Sequence, residues 1–181
     1  MSKRKIPLLE FSNPVFKDGI NLTTRRGRKW HGVDMAYIQL GGEYRFGPAI
    51  LATRVLPFNE VTDADLKNEH DPSCRTVEGL AVEMKRVYPE FDLTDEVTLV
   101  EFILHIRPPQ IGDMVWIPDM VPLYAGKIQD VIPLNDDFYE IQFGEERFAS
   151  LRAIVHAANY LHDVDDEEDG WFIYTELLTD R

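Results

Sequence analysis

Thr24, Arg25, Arg26, Arg28 and Lys29 fall within six positions of one another, directly before Trp30. A threonine hydroxyl serves as a nucleophile when a neighbouring base takes its proton. The planar guanidinium fork suits phosphate oxygens. An indole stacks a nucleobase, a contact worth about 1–3 kcal/mol. The surroundings make this cluster conspicuous. Residues 1–60 hold ten Lys/Arg and five Asp/Glu, whereas residues 61–181 hold nine and twenty-seven, and the whole chain carries −13. A basic cluster against that background predicts an anion site, for phosphate or a nucleotide. The acidic total argues against broad coating of nucleic acid and leaves room for a local, salt-sensitive groove.

Other side chains offer less. His31, His70, His105, His156 and His162 are scattered, and no two share zinc-protease spacing around a Glu, so no metal site and no cofactor are expected. Cys74 is the only cysteine, which excludes an internal disulfide and a cysteine-rich zinc site and fits a reducing, cytoplasmic setting. Glu69-His70-Asp71 reads as a polar loop between two helices, with metal binding or acid–base work as the alternative. The acidic run Asp163 to Asp169 reads as a solvated loop, or as a surface for a basic protein partner that mimics nucleic acid. No apolar run approaches a membrane span, and no signal peptide is visible behind Lys3-Arg4-Lys5.

The elements that must hold these residues read as follows. Ala36–Leu40 is a strand ended by Gly41-Gly42, and Tyr44-Arg45-Phe46 answers it as a hairpin. Ala49–Leu56 is a strand stopped by Pro57. Thr62 caps a short helix to Asn68, and Thr76 caps a second, Val77–Tyr88, with apolar residues at helical spacing. Val97–Ile106 is the strongest strand, suited to burial on both faces or to closing a small barrel. Arg107-Pro108-Pro109-Gln110 reads as a corner, which sets domains at 1–107 and 108–181. Strands follow at Gly112–Pro118, Ala125–Val131 and Phe138–Phe143, with a turn at Asn135-Asp136-Asp137. Phe148, Leu151, Val155, Ala158 and His162 recur at helical spacing and predict a helix over Glu145–Leu161, and Trp171–Leu178 reads as a closing strand.

Gly19-x-Asn21-x-x-Thr24-x-Arg26, early in a chain of short strands, resembles the Gly-x-Lys-x-x-Glu-x-Arg signature of ASCH domains in the PUA-like superfamily. Thr24 matches a branch of that family with amidohydrolase activity on acylated cytidine, and Asn21 stands where lysine is usual. The resemblance covers about the first hundred residues. It implies a small mixed β-barrel with two short helices over that part; the rhythm of short strands beyond it suggests a β-rich, Tudor- or KOW-like C-terminal extension with one helix, or an extension of the first sheet, and the whole reads as α+β. The resemblance further implies Thr24 as nucleophile with Glu69 assisting, should the chain be an enzyme. An amide in place of the lysine favours recognition over hydrolysis, because asparagine only donates and accepts hydrogen bonds. The leading expectation is therefore a module that binds RNA, a nucleotide or a modified nucleoside through Asn21, Thr24, Arg25, Arg26, Arg28, Lys29 and Trp30. The alternatives are a nucleoside amidohydrolase and an acidic interaction protein.

Overall fold

The structure is a computed structural model that describes residues 6–42, 44–117, 124–144, 150–161 and 170–172. Two open β-sheets hold nearly all of the described strands. The first comprises β1 (Leu8–Phe11), β2 (Gly19–Arg26), β3 (Met35–Leu40), β4 (Tyr44–Pro57) and β5 (Glu96–Leu104), in the order β1-β3-β4-β5-β2. β1 runs parallel to β3, and the other ladders are antiparallel. The second comprises β6 (Met114–Ile117), β7 (Tyr124–Pro133), β8 (Phe138–Gly144), β9 (Leu151–His156), β10 (Tyr160–Leu161) and β11 (Gly170–Phe172), in the order β10-β11-β6-β7-β8-β9. The protein is thus β-rich with few helices.

The strongly apolar β5 is the spine of the first sheet. Val97 to Val100 are buried without interruption, and from Glu101 onward the strand alternates outward and inward. Burial on both faces therefore holds only for its first half. There α1 (Asp63–Leu66) and α2 (Val77–Val87) cover one face, where Leu22, Leu66, Leu80, Met84, Val97 and Leu99 form one core cluster. Thr62 caps α1 with a complete capping box. The Thr76 hydroxyl accepts from Gly79 N–H at the start of α2. The other face carries a second cluster built on Leu9, Phe11, Trp30, Ile38, Leu51 and Phe102.

The expected helix over Glu145–Leu161 is not what forms. Leu151–His156 is strand β9, followed by a 3-10 turn at Ala157–Asn159. Leu151 and Val155 satisfy a two-residue period as well as a helical one. Ala153 and Val155, both buried, take the inward side, and the β-branched pair Ile154-Val155 favours the pleated sheet. Phe148 and His162, which completed the helical pattern, lie outside the described residues, as do Asp163 to Asp169 and the expected strand beyond Phe172.

Arg107 ties the two sheets together. Its N–H donates to Ala157 C=O at 3.0 Å, its guanidinium pairs with Asp113 at 2.9 Å, and it stacks over Tyr160. Ala158 from the second sheet's turn is buried in the first sheet's core. Among the described residues no helix is long and apolar enough to cross a membrane.

Candidate functional site

The open ends of the first sheet are β1 and β2, and a cleft lies between them. It encloses about 400 Å³. Glu10, Phe11, Ser12 and Asn13 form one wall, and Leu80 and Met84 of α2 with Tyr88 just after it form another. Thr23, Thr24 and Arg25 run along the base, where they meet Glu69 and His70.

Local backbone chemistry brings Glu69 there. The 68–70 segment attaches to the outer edge of β2: Leu22 N–H donates to Asn68 C=O at 2.7 Å, and His70 N–H donates to Leu22 C=O at 2.9 Å. Asp71-Pro72 then turns the chain into a 3-10 turn, capped by the Asp71 side chain. The Glu69 side chain is consequently buried, with only 3% of its surface exposed. The Thr24 hydroxyl donates to its Oε2 at 3.1 Å.

Burial sets the charge states. Loss of hydration pushes the Glu69 carboxyl from 4.5 up to about 8, against the opposing pull of the Thr24 hydrogen bond and the Arg25 charge. Burial and the Arg25 charge push His70 from 6.5 down to about 4. At neutral pH both are uncharged, so their 3.5 Å approach is a contact between neutral groups rather than an ion pair. Nδ1 of His70 is buried without a hydrogen-bond partner.

Arg25 and Arg86 are the cations that line this cleft, beside the carboxylates of Glu10, Asp71 and Glu83, and Arg86 is paired with Glu83. Burial lowers the pKa of Arg25, although Tyr88, Glu69 and Glu10 pull it back up. It stays charged at any working pH. Nη2 donates to Glu10 C=O at 2.6 Å, and the guanidinium lies over the Phe11 ring. Its buried Nε has no hydrogen-bond partner, and Arg25 forms no ion pair among the described residues.

The remaining sequence candidates go elsewhere, and together they do not form one basic groove. Arg26 is held by Asp95 at 2.9 Å and by Glu90, and it lies over Tyr88. Arg28 pairs with Glu96 at 2.9 Å. Lys29 is exposed, 6.0 Å from the Trp30 ring. Trp30 is buried in the core with Leu9 and Ile38, where its ring is closed to a base. Asn21 is fully buried and committed to the preceding turn: its amide donates to Lys17 and Gly19 C=O and accepts from Lys17 N–H. Arg26 is drawn away by Glu90 and Asp95, and Arg28, Lys29 and Trp30 follow the end of β2 at Arg26, so the cluster disperses.

Thr24, Arg25 and Glu69 are brought together; Asn21, Arg26, Arg28, Lys29 and Trp30 are not. Phe11, His70 and Tyr88 join the cleft without having been singled out as ligand-binding residues. Their aromatic and imidazole chemistry was visible in the chain, but their convergence depends on the 68–70 segment pairing with β2. Cys74 is buried and its thiol is pushed up to about 11, so it is unreactive at neutral pH. Among the described residues no three His, Cys, Asp or Glu side chains converge to hold a metal ion. Comparison of the chain with protein-family models, with curated proteins and with solved structures finds no match in any of the three.

Proposed function

We propose that the cleft between β1 and β2 binds a small molecule of the nucleotide class, with its anionic group on Arg25 and its base against Thr24 and Glu69. One observation carries this reading. A half-buried guanidinium, its Nε fully buried and without an ion pair among the described residues, faces the same cavity as a buried, neutral carboxyl. A half-buried cation that no carboxylate pairs directly favours an anionic ligand. A protonated carboxyl offers adjacent donor and acceptor oxygens, which complement the edge of a base. Phe11 and Tyr88 supply aromatic wall. The ion pairs of Arg26 and Arg28 favour a single nucleotide over an RNA strand, since they leave no continuous basic track beside the cleft. The ASCH-like, PUA-type barrel belongs to the same proposal, with Gly19, Thr24 and Arg26 at the positions of that pattern and the cleft at the gap between its end strands. So does the Tudor- or KOW-like reading of the second sheet.

Calorimetric titration with nucleoside 5′-monophosphates tests the reading. Arg25→Ala should weaken binding about 10- to 100-fold, since a hydrogen bond to a charged group contributes about 1.5–3 kcal/mol. In Glu69→Gln, affinity should no longer fall as pH rises through about 8, the point at which the native carboxyl ionises. Equal affinity of wild type and Arg25→Ala would refute it.

The Thr24–Glu69 hydrogen bond supports a second reading, hydrolysis of an acylated nucleoside. Thr24 Oγ1 would attack the acyl carbon while ionised Glu69 takes its proton. Glu69 would return that proton to the departing amine, and water would then release the acyl group from Thr24. The ionised form reacts, so turnover should rise through pH 8 and vanish in Thr24→Val. A panel of acylated nucleosides with no turnover above the Thr24→Val background removes this reading.

A further inference from the structure

β2 is an end strand, and its outer edge is only partly covered. The register fixes which main-chain groups point outward. Gly27 N–H donates to Glu96 C=O across the β2–β5 ladder, continuing the register in which Arg26 faces Val97. Odd-numbered residues of this strand therefore direct their N–H and C=O toward β5, and even-numbered residues direct theirs away. Leu22 confirms the parity, since both of its outward groups bond to the 68–70 segment. Two residues on is Thr24. The partner segment has by then turned off at Asp71-Pro72, so the Thr24 N–H and C=O emerge from the sheet edge with no hydrogen bond among the described residues. They emerge beside the cleft that Thr24 lines together with Arg25 and Glu69.

An end strand presents its outward N–H and C=O groups as a template for pairing, and at Thr24 that template borders a concave site. An extended residue presents its N–H and C=O side by side on one edge. That is one donor next to one acceptor, matched by a heterocycle with an acceptor next to a donor: a lactam or amidine edge. An ionised phosphate only accepts, and sugar hydroxyls offer donor and acceptor on freely rotating groups rather than in one fixed plane. Glu69, hydrogen-bonded to the Thr24 side chain, holds the residue that presents the rung.

We propose that the main chain of Thr24 reads the base: the ligand completes the vacant rung of β2 with the lactam or amidine edge of its heterocycle. The inference rests on the nucleotide reading of the cleft and specifies which part of the nucleotide is recognised and by what. Because main-chain groups do the reading, selection is for an adjacent donor–acceptor edge, and bases sharing that feature are all accepted to some degree.

Amide hydrogen exchange of Thr24, followed by NMR in the full chain, tests it. The probes are adenosine, cytidine, guanosine and uridine 5′-monophosphates, with ribose 5-phosphate as the baseless control. At saturation with the tightest-binding nucleotide, Thr24 exchange should slow at least tenfold, and ribose 5-phosphate should leave it unchanged. A nucleotide analogue alkylated on its donor nitrogen should bind at least tenfold more weakly than its parent. Nucleotide binding that Arg25→Ala weakens, with Thr24 exchange unaltered, overturns this inference and leaves the nucleotide reading standing. Equal slowing by ribose 5-phosphate also overturns it. If no nucleotide binds, both fall.

Discussion

Glu69 and His70 are adjacent in sequence and buried side by side, yet their titrations act on the fold in opposite directions. Glu69 has its folded pKa raised from 4.5 to about 8, so the native state holds a proton that the unfolded chain releases. Its contribution is complete below pH 4.5 and is lost as pH rises toward about 8. His70 has its folded pKa lowered from 6.5 to about 4, so its contribution is present above pH 6.5 and is lost as pH falls toward 4. In Glu69→Gln the alkaline loss should disappear while the acid-side loss remains. Denaturant melts of both proteins at intervals from pH 4 to pH 9 measure the difference. Parallel curves would show that Glu69 titrates as an ordinary carboxylate. Sequence reasoning found this residue and its partner Thr24. It did not find the burial that shifts both pKa values, because burial follows from the hydrogen bonds between Leu22 and residues 68–70, a contact 47 positions apart with no local pattern.

At the level of elements, the cleft depends on how α2 meets the 3-10 turn Pro72–Cys74. Gly79 is the point of closest approach, where an added Cβ would sit 1.9 Å from Ser73 C=O. Gly→Ala inside a helix ordinarily stabilises by about 0.5–1 kcal/mol. Here the sign should reverse, because main chain stands in the way, and Gly79→Ala should destabilise by about 1–3 kcal/mol. A drop in the denaturant midpoint at unchanged slope is the expected result; a rise would mean that the turn yields freely. Thr62→Ala removes the hydroxyl half of the α1 capping box, leaving the main-chain N–H on Asp65, and should cost about 1 kcal/mol by the same assay. The helices were legible because caps and apolar spacing coincide at Thr62 and Thr76. β9 was misread because Leu151 and Val155 fit two periods at once, and only the ladder to β8 decides between them. The basic cluster misled for a related reason: Glu90, Asp95 and Glu96, distant in sequence, take up Arg26 and Arg28, which composition counts with Arg25.

Across the whole molecule, the apolar cores of the two sheets meet at a polar joint. Arg107 bonds to Ala157, Asp113 and the face of Tyr160. Asp113 in turn accepts from Trp171 Nε1 at 3.0 Å, and Ala158 completes the first core. Arg107→Ala leaves Asp113 half-buried without its cation and should destabilise by about 1–3 kcal/mol. The wild type should unfold in one transition seen alike by Trp30 and Trp171 fluorescence; Arg107→Ala should separate the two signals. Arg107-Pro108-Pro109-Gln110 marks the corner in the sequence, but nothing in that tetrapeptide announces that the arginine joins one sheet to the other. The cleft is equally a property of the whole first sheet, since its walls come from the strands at opposite ends of the sheet order.

All of these levels converge on a carboxyl kept neutral beside a half-buried guanidinium. A titration of the Glu69 side-chain carboxyl, read from its own carbon resonance by NMR in the unliganded protein, tests that state directly. The structure predicts a midpoint at about 8. A midpoint near 4.5, with the carboxylate ionised throughout the neutral range, would give Arg25 its counter-ion, remove the reason for an anionic ligand, and contradict the account.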